Sequence, residues 1–178
     1  MPMPDRPSGR ELVRAFDSGL RTRFSISLRF LEQAAAAFDG GSTIGTSILC
    51  RAALEATYVT FLQHTKKTAD GKGSELVNRT QLVPGQDKPA DRIRFDPVMK
   101  AIRESGVLSP EQLRASTRVR ENGNWVAHVV EREAEELRRA SSWMDWKPWI
   151  DEAQAWADLQ DTVDIVRTIE TALPSIYK

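Results

Sequence analysis

The chain has 178 residues, 40% of them hydrophobic and 28% charged, with 25 Lys+Arg balanced by 25 Asp+Glu; that length suits one domain able to bury a sizeable core. Zero net charge excludes a global attraction to nucleic acid, and the lone Cys50 excludes an internal disulfide and any cysteine-built metal site. No apolar run approaches the ~20 residues of a membrane span, and Met1-Pro2-Met3-Pro4-Asp5-Arg6-Pro7 lacks the apolar core of a signal peptide.

Strand-forming runs are scarce while Ala and Arg are plentiful, so the expected fold is all-α: an antiparallel bundle of four long helices plus a shorter one, in a single domain over 1–178. Ser8 reads as the N-cap of a first helix, with Glu11 completing a capping box. Leu12, Val13, Phe16, Leu20, Phe24, Leu28, Leu31 and Ala35 carry its period to about Phe38, with a possible kink at Gly19. Asp39-Gly40-Gly41-Ser42 ends it and, being short, implies an antiparallel hairpin. Helix two is expected from about Thr43 to His64. Ile44, Ile48, Leu49, Ala52, Ala53, Ala56, Val59 and Leu62 make it apolar over much of its circumference, which marks a central element.

From Thr65 to about residue 93 the pattern collapses into a long polar loop, too long for an ordinary connection. Lys66, Lys67, Lys72, Arg79, Lys88, Arg92 and Arg94 could track phosphates there, or the segment is simply solvated. A short helix, Asp96 to Glu104, stops at Ser105-Gly106. Ser109 and Pro110 then start the next as N-cap and first helical residue, and this helix is expected to run past His128 into Glu131–Arg139. In the connector 141–149, Trp143, Trp146 and Trp149 either stack on a partner or pin the segment to the core. Ala153, Trp156, Leu159, Val163, Val166, Ile169 and Leu173 form the apolar stripe of a last helix over 150–172.

The stretch from Arg118 to His128 holds the candidate chemistry. On a helix, Arg120, Asn124 and His128 recur at i, i+4 and i+8, neighbours on one face roughly 6 Å apart. A fixed cation, an amide and a titratable imidazole then form a polar stripe. Gly123 interrupts it at a helix-interior cost of about 1 kcal/mol relative to Ala. Either Asn122-Gly123 closes one helix and Asn124 caps another, or the helix is continuous and its bare backbone is approached closely. Arg51 and Glu55, at i, i+4 on the apolar helix two, are an internal ion pair or they orient the stripe. His64 reads as a dipole partner at the C-terminal end of helix two.

Arg-x-x-Gly-Asn-x-x-Ala-His, from Arg120 to His128, resembles the signature of an uncharacterised bacterial domain family grouped with the HEPN (higher eukaryotes and prokaryotes nucleotide-binding) domains. Cys50-Arg51-Ala52-Ala53-Leu54-Glu55-Ala56 resembles its second motif, Arg-x-Ala-Leu-Glu, and the likeness touches 43–64, 109–130 and 150–172. The resemblance implies a HEPN-like protein of a bacterial defence or toxin–antitoxin type, and the single cysteine makes a reducing cytoplasm the expected compartment. It further implies a homodimer paired across the motif face, with RNA, a nucleotide or another protein as partner. HEPN ribonucleases resemble one another in an Arg, usually followed by a polar residue, then His after four to six intervening residues. Here Gly123 stands five positions before His128, Asn124 takes the polar place, and Arg120 lies one turn too early.

Two functions follow from the residues and the resemblance together. One is a binding and dimerisation module whose stripe is structural. The other is a metal-independent endoribonuclease in which His128 acts as acid or base, Arg120 balances the phosphorane charge, and Asn124 holds phosphate or imidazole. Arg51 and Glu55 would support those three. No cofactor or metal is expected, because there is no Gly-rich phosphate loop, no paired His-x-x-x-His and no Cys/His ligand set.

Overall fold

The computed structural model describes residues 8–14, 24–69, 95–127 and 150–173, and all their regular structure is helical. In chain order the helices are α1 (Gly9–Arg14), α2 (Ser25–Asp39), α3 (Thr43–Ala69), α4 (Phe95–Ser105), α5 (Pro110–Ala127) and α6 (Glu152–Ala172). The all-α bundle expected from periodicity is what forms, and no described helix is long and apolar enough to cross a membrane.

The single first helix expected from Ser8 to Phe38 does not exist. Gly9, at the start of α1, donates its backbone N–H to Asp39 Oδ1 at 2.7 Å, and Arg10 donates to Oδ2 at 3.2 Å. A continuous helix would hold residues 9 and 39 about 45 Å apart at 1.5 Å per residue. Instead α1 packs on α2, and a Cβ on Gly9 would stand 3.0 Å from the Ala35 backbone and 3.1 Å from Leu159. The apolar period is shared because both pieces bury the same kind of stripe. Among the described residues there are thus six helices. The start signal itself is real, since Glu11 N–H donates to Ser8 Oγ at 3.4 Å. Asp39→Ala should lower the unfolding free energy by about 1–2 kcal/mol, as loss of a capping carboxylate does. Urea melts would measure it, and no change would mean that Asp39 does not anchor α1.

The α2–α3 hairpin forms as its turn residues demand. Gly41 takes φ +81°, and Ser42 accepts the Gly45 N–H at 3.2 Å to begin α3. Helix α3 is central, packing against α2, α4, α5 and α6. It buries Cys50, Ala53, Leu54, Tyr58, Phe61 and Leu62. It also runs five residues beyond the expected end at His64, so the first part of the expected 65–93 loop is helical. Lys66 and Lys67 are good helix formers, they sit at the C-terminal dipole, and no glycine arises until Gly71. His64 is therefore inside α3 rather than at its end. The rest of the loop, and the 141–149 connector with Trp143, Trp146 and Trp149, lie outside the described residues.

Helix α4 buries Val98, Met99 and Ile102 and stops at Gly106, where φ is +67°. Helix α5 starts with a complete capping box: Gln112 N–H donates to Ser109 Oγ and Ser109 N–H to Gln112 Oε1, both at 3.1 Å. Helix α6 is capped by Asp151, which accepts from Gln154 N–H at 2.7 Å. Its apolar stripe is broader than expected: Ala155 and Ile165 are buried, whereas Ala153 is exposed. Trp156 meets Phe38 of α2 with ring centroids 5.1 Å apart.

Candidate functional site

Helix α5 is continuous from Pro110 to Ala127, which removes the break at Asn122-Gly123 and leaves close approach as the reason for the glycine. The approaching group is the side chain of Arg51. A Cβ built on Gly123 would lie 2.7 Å from Arg51 Cβ and 2.8 Å from its Cδ. The two helices run antiparallel here, because seven residues further along α3 the Tyr58 hydroxyl meets Ser116 Oγ at 2.6 Å. Burial pushes the Tyr58 phenol well above its ordinary value, partly offset by the Ser116 hydrogen bond. The space a side chain at position 123 would take is thus filled by an arginine stem from α3.

Arg51 Nε donates to Glu55 Oε1 at 2.8 Å, with the two side chains 27% and 36% exposed. The ion pair anticipated at i, i+4 is present, and the stem of its arginine lies against Gly123. Buried Ser116, Val119 and Gly123 form the core face of α5. Arg120 and Asn124, both half-buried, follow on one flank at i, i+4. Four of the five expected site residues therefore fall on two adjoining helices: Arg51 and Glu55 on α3, and Arg120 and Asn124 on α5. His128 lies outside the described residues. Among the described residues no group of three His, Cys, Asp or Glu side chains is placed to hold a metal ion.

The opposite flank of α5 holds a polar centre that sequence reasoning missed. Asp158 of α6 is fully buried. Its carboxylate accepts from Ser47 Oγ of α3 at 2.8 Å and from Asn122 Nδ2 of α5 at 3.0 and 3.1 Å. Arg118 Nε stands 3.5 Å away, and Arg118 also pairs with Asp161. Burial raises the Asp158 pKa, while the hydrogen bonds from Asn122 and Ser47 and the charge of Arg118 oppose the rise. Nearby, burial pushes the Cys50 thiol far up; a Thr162 hydrogen bond lowers it and the Asp158 charge raises it further. The thiol is thus kept protonated and unreactive. The available signal was an aspartate on the buried side of α6 beside Leu159, together with Arg118 and Asn122 at i, i+4. Periodicity names the face but not the partners.

A groove between the start of α5 and α6 is lined by Gln112, Asp161, Asp164 and Thr168, among others. Gln112 Nε2 bridges Asp164 and Thr168 at 2.8 Å each. Its acidic rim repels phosphate, so the cationic face formed with α3 is the better candidate for an anionic ligand. Comparison of the chain with protein-family models, with curated proteins and with solved structures finds no match, so the reading of the site rests on its own geometry.

Proposed function

We propose that the chain is a HEPN-like helical binding and dimerisation module, of a bacterial defence or toxin–antitoxin type, acting on RNA or a nucleotide in the cytoplasm. The observation that carries this reading is the seating of Arg51 on Gly123 beside Arg120 and Asn124. It lays the stem of Arg51 across a position of α5 that falls between Arg120 and Asn124 in chain order. Arginine with amide donors suits phosphate, and the partly buried setting strengthens each contact.

Pairing across this face is supported by exposed apolar residues nearby. Ile44 and Ile48 are 42% and 37% exposed, and with Arg51 and Glu55 they follow i, i+4, i+7, i+11 along one side of α3. The apolar stripe of the last helix, by contrast, is consumed within the chain: Leu159, Val166 and Ile169 are fully buried. A homodimer would therefore use the motif face rather than the last helix. Sedimentation at tens of micromolar should give a dimer, and a single 20.0 kDa species would refute it.

The continuity of α5 through Gly123 supports a second reading, a metal-independent endoribonuclease. In it His128 removes the proton of the RNA 2′-hydroxyl, whose oxygen attacks the adjacent phosphorus. Arg120 balances the phosphorane charge, and the 5′-oxygen leaves taking a proton from water, which gives a 2′,3′-cyclic phosphate and a free 5′-hydroxyl. One experiment separates the two readings: melting, RNA binding and RNA cleavage on wild type, His128→Ala and Arg120→Ala. For the module, wild type binds labelled RNA and leaves it intact, and each substitution lowers stability by about 1–3 kcal/mol. Cleavage that persists in EDTA and is lost in His128→Ala at an unchanged melting midpoint would replace the module with the enzyme.

A further inference from the structure

We propose that Arg51 is itself a phosphate ligand for bound RNA, and that Gly123 is present to let its side chain cross α5 to the face of Arg120 and Asn124. The proposal rests on the RNA-binding reading above.

The fold gives up helix propensity at position 123, and what it gains there is room for the stem of one arginine, since any Cβ would come within 2.8 Å of both Cβ and Cδ of Arg51. Apolar packing alone would be served better by an alanine against a short aliphatic residue, which sacrifices no rotamer freedom and no backbone propensity. The stem is instead laid where a side chain at 123 would begin. That point is about 5–6 Å from the Cβ of Arg120, one turn earlier on the same helix. Two arginines from different helices thus start within a turn of each other, with Asn124 next in sequence.

Glu55 fixes the orientation of Arg51. It engages Nε, at 2.8 Å. The two Nη groups have no hydrogen-bond partner among the described residues, and they are the pair that grips a phosphate in bidentate fashion. At 27% exposure Arg51 is accessible to a ligand yet partly withdrawn from solvent, which strengthens a charge-assisted contact. An ion pair serving only the helix would need neither the glycine nor this position, because an i, i+4 pair on any exposed face contributes as much.

The test is fluorescence anisotropy with a 5′-labelled single-stranded RNA across a salt series, with thermal melts on the same proteins. Arg51→Met keeps the stem on Gly123 and removes the charge, so it should fold. It is expected to weaken binding about tenfold or more and to reduce the dependence of log affinity on log salt by about one contact. Glu55→Gln keeps the hydrogen-bond acceptor while removing a negative charge beside the ligand, and should tighten binding severalfold. A purely structural pair gives the opposite pattern: both variants melt lower, while affinity and salt slope stay at wild-type values. That pattern overturns the role of Arg51 and leaves the RNA-binding reading standing. Wild type that fails to bind the RNA at low salt overturns both.

Discussion

Asp158→Ala is expected to lower the unfolding free energy by about 3 kcal/mol, because it leaves several buried partners without an acceptor at once. Ser47 Oγ and Asn122 Nδ2 both donate to this carboxylate, from two different helices. Removing it strands each donor in the interior, at about 1–3 kcal/mol apiece. Arg118 adds less, since its side chain is 44% exposed and can turn to Asp161 or to water. Asp158→Asn should recover part of the loss, as one oxygen still accepts while the new amide nitrogen faces a donor. A chemical melt in which Asp158→Ala matched wild type would mean that the centre does not join α3, α5 and α6.

The same residue sets a pH dependence whose sign follows from its surroundings. Burial is the largest influence and raises the Asp158 pKa above the ordinary 3.8, so the folded protein binds this proton more readily than the unfolded chain. The stabilising contribution of that proton is complete below the ordinary value and is lost as pH rises through the raised one. Wild type should therefore compare best with the non-titrating Asp158→Asn in acid, and its relative stability should decline towards neutrality. Urea melts of both proteins across that range test the point. A gap that moved in favour of wild type with rising pH would show that the hydrogen bonds and Arg118, rather than burial, govern this carboxylate.

Gly123→Leu should cost roughly 3 kcal/mol, and Gly123→Ala about 1–2 kcal/mol despite its better helix propensity. Alanine would gain up to about 1 kcal/mol on an open helix face. Here the new Cβ meets Arg51 Cβ at 2.7 Å, and that atom is fixed to the α3 backbone and cannot swing aside. The Cδ, at 2.8 Å, can move, but relief at Cβ requires α3 and α5 to separate. That separation strains the Tyr58–Ser116 hydrogen bond of 2.6 Å in the same interface. A double-mutant cycle with Arg51→Gly, which removes Cβ and Cδ together, should recover most of the penalty as coupling energy. Gly123→Ala that stabilised the protein would show that the helices do not touch at this point.

The sequence by itself determined the helical class, most element boundaries and the place of α3 at the centre. Ser109 with Gln112, the Asp39–Ser42 turn and the near-continuous apolar circumference of α3 act through residues three or four apart, and that range is written directly in the chain. It also picked out Gly123 as anomalous and paired Arg51 with Glu55, for the same local reason. The tertiary structure alone decided that the first apolar run is not one continuous helix, because the contact of Gly9 with Asp39 spans 30 positions while α1 and α2 keep the same period. It alone showed that Gly123 receives Arg51, and that Asp158 gathers Ser47 from 111 positions away and Asn122 from 36. Periodicity assigns a residue to a buried face, but which distant side chain it meets there depends on how the helices cross. An aspartate within an apolar stripe reads as an interruption until the fold supplies its donors.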